Sequence, residues 1–131
     1  MTEPTWVLPE LALAVHQMLI AQHGGLAGVR DHDLLESALA RPRQLFSYGE
    51  AELVPQLAAA YCYGIARNHP FVDGNKRSAL TLAGVFLDIN LFVLNATEAE
   101  AVVVIEQLAA GKVKEDELAQ WFVANSDLVN E

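Results

Sequence analysis

The pattern of hydrophobic and polar residues predicts six helices and little regular sheet. Apolar residues recur at helical spacing in six segments, and glycine, proline or capping residues bound each segment. The predicted helices cover about residues 8–22, 33–40, 52–68, 75–90, 98–110 and 114–126. A short extended piece is expected at residues 91–94. The pattern therefore predicts an all-α fold.

The fourth predicted helix has apolar residues on nearly every side. A helix with this distribution is buried, so we expect it to lie at the centre with the others packed around it. Its polar residues cluster at the first turn, next to the loop that precedes it. The apolar positions are Ala79, Leu80, Leu82, Ala83, Val85, Phe86, Leu87 and Ile89.

Two other segments are less regular. The glycine-rich segment 24–28 is interpreted as a connector that needs positive φ, because no strand precedes it as in a phosphate-binding loop. Pro42 is expected to end the second helix near Ala40. Residues 43–50 then form either a short extended flap, with Phe46 and Tyr48 on one side, or a loop whose aromatic residues close the core edge.

The most informative stretch is His69-Pro-Phe-Val-Asp-Gly-Asn-Lys-Arg77, which joins the third and fourth helices. Pro70 disfavours the α conformation at the preceding residue, so the third helix should end near Asn68. Gly74 and Asn75 tolerate the tight turn that must follow. The unpaired N–H groups of the next helix start are then available to an anion.

The same stretch carries the side chains that phosphoryl transfer needs. Lys76 and Arg77 add positive charge to the helix start. His69 can take a proton from an attacking hydroxyl near neutral pH. Asp73 can hold Mg²⁺, since one carboxylate suffices beside phosphate oxygens. The alternative is a polar connection between helices that performs no chemistry.

The composition limits the classes of protein to which this chain can belong. A net charge of −9 argues against a nucleic-acid binder, although a nucleotide pocket needs only local positive charge. Cys62, the single cysteine, lies in an apolar run and is expected to be a buried thiol. No signal peptide or membrane-spanning run is predicted, and we expect one cytoplasmic domain over residues 1–131.

Two histidines of the first helix, His16 and His23, are seven residues apart and so lie roughly on one face. A metal pair would need a third ligand at a useful spacing, and the sequence offers none. They are therefore interpreted as ordinary surface or half-buried histidines.

Residues 69–77 resemble the His-x-Phe-x-Asp-Gly-Asn-x-Arg motif of the Fic/Doc (Fido) superfamily, and with Lys76 they are similar to the Doc branch, the death-on-curing toxins. A second stretch, residues 24–31 followed by 34–38, is similar to the region after the first helix in Doc-like toxins. The resemblance covers about residues 8–125.

This resemblance implies a single-domain Fido fold and transfer of part of a nucleoside triphosphate, such as ATP, to a protein hydroxyl with Mg²⁺. His69 would be the base, Asp73 the magnesium ligand and Phe71 the hydrophobic anchor of the loop. Residues 43–48 would be the flap that aligns the target peptide. The anion-binding loop would consist of Gly74, Asn75, Lys76 and Arg77.

Two positions depart from the adenylylating branch of the superfamily. That branch usually has glycine where this chain has Lys76, and a second arginine where this chain has Leu80. Both changes favour a reversed nucleotide that presents its γ-phosphate to the anion loop. The product would then be a phosphorylated protein, with Lys76 and Arg77 beside the transferred group.

The implied function is that of a toxin in a type II toxin–antitoxin system, which phosphorylates a threonine of elongation factor Tu and so blocks translation. Its partners would be that target and a cognate antitoxin, since no self-inhibitory Ser/Thr-x-x-x-Glu-Gly/Asn segment is present. Direct binding to nucleic acid or membrane is not expected. The alternatives are adenylyl transfer by the same site and an inactive module that only binds a partner.

Overall fold

The computed structural model describes residues 2–129, which form six helices and one two-stranded sheet. The all-α prediction is confirmed. Among these residues, no helix is both long enough and apolar enough to cross a membrane. The elements are α1 (Pro9–His23), α2 (His32–Ser47), α3 (Val54–Asn68), α4 (Asn75–Ile89), β1 (Phe92–Leu94), α5 (Glu98–Ala109), α6 (Glu115–Ala124) and β2 (Ser126–Leu128).

The buried centre is shared between α3 and α4. Helix α3 packs against α2, α4 and α6, and α4 also contacts α1 and α5. Small residues make this possible, because Ala58, Ala59 and Ala60 let neighbouring helices approach the α3 backbone. Their side chains are almost completely buried. Helix α4 therefore runs through the core, and its exposed residues lie in the first turn, at Lys76 and Arg77, and in the last, at Asp88 and Ile89.

Helix α2 continues through Pro42 to Ser47, so the predicted helix end near Ala40 and the predicted extended flap at residues 43–50 are wrong. The helix persists because its apolar face, which includes buried Pro42, extends along α3 and offsets the lost backbone bond. Phe46 packs edge-on against Trp6, with ring centroids 5.8 Å apart. Tyr48 is 77% exposed and closes no part of the core.

The expected extended piece after α4 is confirmed as β1, but it belongs to a sheet that the sequence did not predict. It pairs antiparallel with β2, which places Phe92 opposite Leu128 and Leu94 opposite Ser126. The sixth helix therefore ends at Ala124 rather than at Ser126. Strand β2 is too short to be recognised from its own residues, because its extended form depends on the partner strand.

The single cysteine lies inside α3 and is 1% exposed, as predicted for a buried thiol. Burial raises the pKa of Cys62 to about 12, because the apolar surroundings disfavour the charged thiolate. Since the thiolate is the reactive form, Cys62 should be inert to alkylating reagents in the folded protein.

Two helical glycines provide a matched test of how closely α2 and α3 pack. A methyl group on Gly64 would lie 3.2 Å from the Cα of Ala38, whereas one on Gly84 would meet nothing within 4 Å. Gly84→Ala should stabilise the protein by about 0.5–1 kcal/mol, because alanine favours the helix. Gly64→Ala should lose that gain to overpacking and be at least about 1 kcal/mol less stable than Gly84→Ala. Urea unfolding of both variants measures the difference, and equal stabilities would contradict this packing.

Candidate functional site

The loop between α3 and α4 begins with a left-handed residue. Helix α3 ends at Asn68, as predicted, and His69 has φ 50° and ψ 57°. Its N–H donates to the carbonyl of Ile65 at 3.2 Å. A left-handed conformation in a residue other than glycine costs roughly 1–3 kcal/mol, so the surrounding contacts must hold it.

Arg30 supplies several of those contacts. Its side chain donates from Nε to the carbonyl of His69 at 2.8 Å and from Nη2 to the carbonyl of Asn68 at 2.9 Å. Its backbone N–H donates to the carbonyl of Pro70 at 2.7 Å. The planar guanidinium suits two neighbouring acceptors, and it leaves the imidazole of His69 exposed on the other side of the loop.

The segment that leads into α2 lies beside the motif. Val29 forms an isolated antiparallel bridge with Phe71, and Val72 N–H donates to the carbonyl of Gly28 at 3.0 Å. Residues 28–31 therefore lie next to the site, whereas residues 43–47 belong to α2.

Two side chains secure the loop to the body of the protein. Phe71 is fully buried, and its ring stacks on that of His16 with centroids 3.9 Å apart and 5° between the planes. The Asn75 amide accepts from the N–H of Phe71 at 2.9 Å and donates to its carbonyl at 3.0 Å. Asn75 thus holds the turn closed, and its side chain is not a helix cap.

The carboxylate of Asp73 is exposed and held by backbone donors. Oδ1 accepts from Gly74 N–H at 2.9 Å, and Oδ2 accepts from Leu26 N–H at 3.2 Å. A methyl group on Gly25 would lie 2.8 Å from Oδ2, so only glycine leaves room for the carboxylate. The glycine-rich segment is a connector with positive φ, as predicted, and it also packs against Asp73.

These residues surround a pocket of about 370 Å³ at the start of α4. Ser78 N–H bonds to Gly74, so the three preceding N–H groups of the helix have no intrahelical acceptor. The exposed side chains of His69, Asp73 and Arg77 meet at this opening. The lining residues are His69, Val72, Asp73, Gly74, Asn75, Lys76 and Arg77.

Lys76 lines the pocket, but its ammonium is paired with α5. Nζ lies 2.9 Å and 3.1 Å from the two carboxylate oxygens of Glu106. Both side chains are about half exposed, so the pair contributes about 0–1 kcal/mol and can be exchanged for another anion. Leu80 is partly buried and lines a neighbouring groove of about 380 Å³, which Lys76 and Arg77 also line.

The site suits a magnesium ion that arrives with a nucleotide. Within residues 2–129, no group of three or more His, Cys, Asp or Glu side chains could hold a metal. Each carboxylate oxygen of Asp73 accepts one hydrogen bond and so retains capacity for a cation. One carboxylate plus phosphate oxygens and water is a usual coordination for Mg²⁺.

Comparison with known proteins identifies the family. The model of the Fic/DOC family matches residues 6–87, which include α1 to α3, most of α4 and the residues that line the pocket. The chain belongs to the Fic/DOC family.

Two curated relatives share part of the chain. It is 50% identical over 70 residues to a protein named Toxin Doc from Mycolicibacterium smegmatis, a match that covers 51% of this chain and 52% of the relative. It is 36% identical over 84 residues to a protein named Protein kinase doc from Escherichia phage P1, with coverage of 64% and 67%. The match therefore spans about half of the first relative and two thirds of the second.

Sequence interpretation missed three residues that position the loop, namely His16, Gly25 and Arg30. The signal for His16 was available, because it lies on the same helix face as Ala12 and Leu19 and this face is buried. His16 is 2% exposed, whereas His23 is exposed, so the interpretation of His16 as a surface or half-buried histidine is wrong. The contacts of Gly25 and Arg30 join residues more than 35 apart, so no local pattern could reveal them.

Arg30→Ala tests whether this side chain holds the left-handed turn. The variant loses two charge-assisted hydrogen bonds and should be about 1–3 kcal/mol less stable. Arg41→Ala is the matched control, since it removes only a partly exposed ion pair with Glu115 and should cost about 0–1 kcal/mol. Urea unfolding compares the two, and an equal loss in both would show that Arg30 does not secure the loop.

Proposed function

We propose that this chain is a Doc-like toxin, a transferase that moves the γ-phosphate of a nucleoside triphosphate such as ATP to a protein hydroxyl. The observation that carries this proposal is the pocket at the start of α4, where His69, Asp73 and Arg77 converge on free backbone donors. Membership of the Fic/DOC family and the printed names of the two relatives support it.

The phosphates bind at the N-terminus of α4. Three backbone N–H groups and the positive end of the helix dipole face the pocket, and Arg77 adds a charged donor. Lys76 reaches the same anion once it leaves Glu106. Mg²⁺ held by Asp73 and the phosphate oxygens would neutralise charge on the phosphates.

The reaction needs a base on the target side, and His69 supplies it. The hydroxyl oxygen of the target attacks the γ-phosphorus and forms a new O–P bond, while the bond from that phosphorus to the oxygen bridging the β-phosphate breaks. The nucleoside diphosphate leaves, and the hydroxyl proton passes to the imidazole of His69. The exposed, left-handed position of His69 keeps its ring accessible to the target.

The target segment approaches across residues 28–31, which take over the aligning role first expected for residues 43–48. Leu26 is 67% exposed and Val72 is 45% exposed, and both flank the Asp73 carboxylate. Two exposed apolar side chains beside the bridge between Val29 and Phe71 suit an extended peptide. In line with the resemblance, the proposed target hydroxyl is a threonine of elongation factor Tu, and the proposed control is a cognate antitoxin that binds in trans.

Transfer to elongation factor Tu is tested by intact mass after incubation with ATP and Mg²⁺. A gain of about 80 Da, one phosphoryl group, is expected, whereas adenylyl transfer would add several times that mass. His69→Ala should lower the rate roughly 10²–10⁴-fold, because the base is lost. His32→Ala, which replaces an exposed histidine outside the pocket, is the control and should retain the parent rate.

The source of the transferred group is checked with ATP labelled at the γ- or the α-phosphate. Transfer of the α-label alone would establish adenylyl transfer as the function. If neither label is transferred to elongation factor Tu or to any protein of a lysate incubated with the folded protein, the partner-binding alternative is favoured.

Glu106→Gln tests whether Lys76 can turn from α5 to the phosphates. Removing the carboxylate frees the ammonium, so nucleotide affinity should rise up to about fivefold, and the gain should shrink at high salt. Glu98→Gln is the matched control, because Glu98 lines the same neighbouring groove but makes no ion pair within residues 2–129. Equal gains in nucleotide affinity in both variants would mean that the affinity responds to the loss of any nearby negative charge and not to the release of Lys76.

A further inference from the structure

One continuous segment of the chain, α1 and the loop that follows it, contacts Asp73. The imidazole of His16, on α1, donates from Nε2 to the backbone carbonyl of Asp73 at 2.9 Å. The N–H of Leu26 donates to the carboxylate, and the bare Cα of Gly25 faces the same oxygen. Helix α1 and the loop that follows it therefore contact both the backbone and the side chain of this residue.

His16 is fixed in place by its own surroundings. It is 2% exposed, and its ring lies flat on that of the buried Phe71. A carbonyl oxygen can only accept, so Nε2 carries the proton in this contact. The hydrogen bond is partly buried, and its loss removes a fixed donor from the Asp73 carbonyl, so the contact influences how that carbonyl is oriented.

The orientation of that carbonyl affects two parts of the site. The same peptide unit continues into Gly74, which has φ 73° and precedes the first residue of α4. A rotation of this peptide unit would move the Asp73 carboxylate and tilt the N–H groups at the start of α4. A methyl group on Gly74 would lie 3.9 Å from His16 Nε2, so the ring also lies directly against this turn.

Gly25 lies against the carboxylate of Asp73, whereas His16 bonds to the backbone carbonyl of that residue. It has φ 113°, and an added methyl group would lie 2.8 Å from Asp73 Oδ2 and 3.2 Å from Ile20 Cδ1. Its neighbour Gly24 also has positive φ, 83°, but a methyl group there would meet nothing within 4 Å. Both substitutions place a side chain at positive φ, and they differ in the contacts that the methyl group makes with Asp73 Oδ2 and Ile20 Cδ1.

We propose that α1 and the glycine-rich loop form a positioning element for the magnesium-binding carboxylate, with His16 and Gly25 as positioning residues. This inference rests on the proposed function, because that function gives Asp73 its role toward Mg²⁺. Neither residue needs to touch the nucleotide. Both act by setting where the carboxylate lies relative to the phosphates at the start of α4.

The glycine pair gives the sharper test. Calorimetric titration with a non-hydrolysable ATP analogue, at several Mg²⁺ concentrations and without Mg²⁺, measures nucleotide affinity without turnover. Gly25→Ala should weaken Mg²⁺-dependent binding about 10–100-fold, the usual effect of disturbing the support of a metal ligand. Gly24→Ala should bind as the parent does, although thermal unfolding should show strain in both variants.

The His16 series separates positioning from stability. His16→Leu removes the donor to the Asp73 carbonyl, whereas the side-chain amide of His16→Gln can still donate to it. Tyr61→Phe is the control, because it removes a buried 3.0 Å hydrogen bond from Val7 N–H far from the loop. If His16→Leu and Tyr61→Phe lose equal thermal stability, only His16→Leu should weaken Mg²⁺-dependent nucleotide binding. His16→Gln should bind nucleotide more tightly than His16→Leu, because it keeps a donor to the Asp73 carbonyl.

The outcomes distinguish this inference from the proposed function. A parent protein whose nucleotide binding does not respond to Mg²⁺ would overturn the proposed role of Asp73, and the inference with it. A Mg²⁺-dependent parent would leave that role standing. In that case, two results together would overturn the inference and leave the proposed function standing. The two glycine variants would bind nucleotide equally, and His16→Leu and Tyr61→Phe would change Mg²⁺-dependent binding to the same extent. If Gly25→Ala does not fold, the His16 series decides.

Discussion

The stacking of Phe71 on His16 is the contact on which the site depends. It joins the loop between α3 and α4 to α1, and both rings are buried. Because one side of the loop is held against the core, the other side is free to present polar groups. The left-handed turn at His69 and the start of α4 at Asn75 are placed relative to this contact. A loop secured at both ends in this way keeps its polar residues in a constant arrangement.

Positive charge gathers at the start of α4 although the protein is acidic overall. The net charge is −9, yet Lys76 and Arg77 lie together in the first turn of α4, where the unpaired N–H groups of the helix add partial positive charge. Lys76 is paired with Glu106, which offsets part of that charge. The pair is partly exposed and therefore weak, as its proposed replacement by phosphate requires.

Much of the helical framework could be predicted from local residues. The end of α3 at Asn68 followed from Pro70. The Thr-x-x-Glu sequence at Thr97 and Glu100 forms a capping box at the start of α5, with reciprocal bonds of 2.9 Å and 3.1 Å. The motif loop and the turn at Gly74 were located correctly for the same reason. In each case the deciding interaction lies within four residues of chain, which is the range that sequence patterns report.

The sequence by itself determined the helical class, most helix boundaries and the residues gathered in the pocket. Only the tertiary structure decided that α2 continues through Pro42, since burial against α3 outweighs the lost backbone bond. It also decided the sheet of β1 and β2 and the contacts of His16 with Phe71 and Asp73. These features depend on contacts between different elements of the chain, whose free energy no local pattern records.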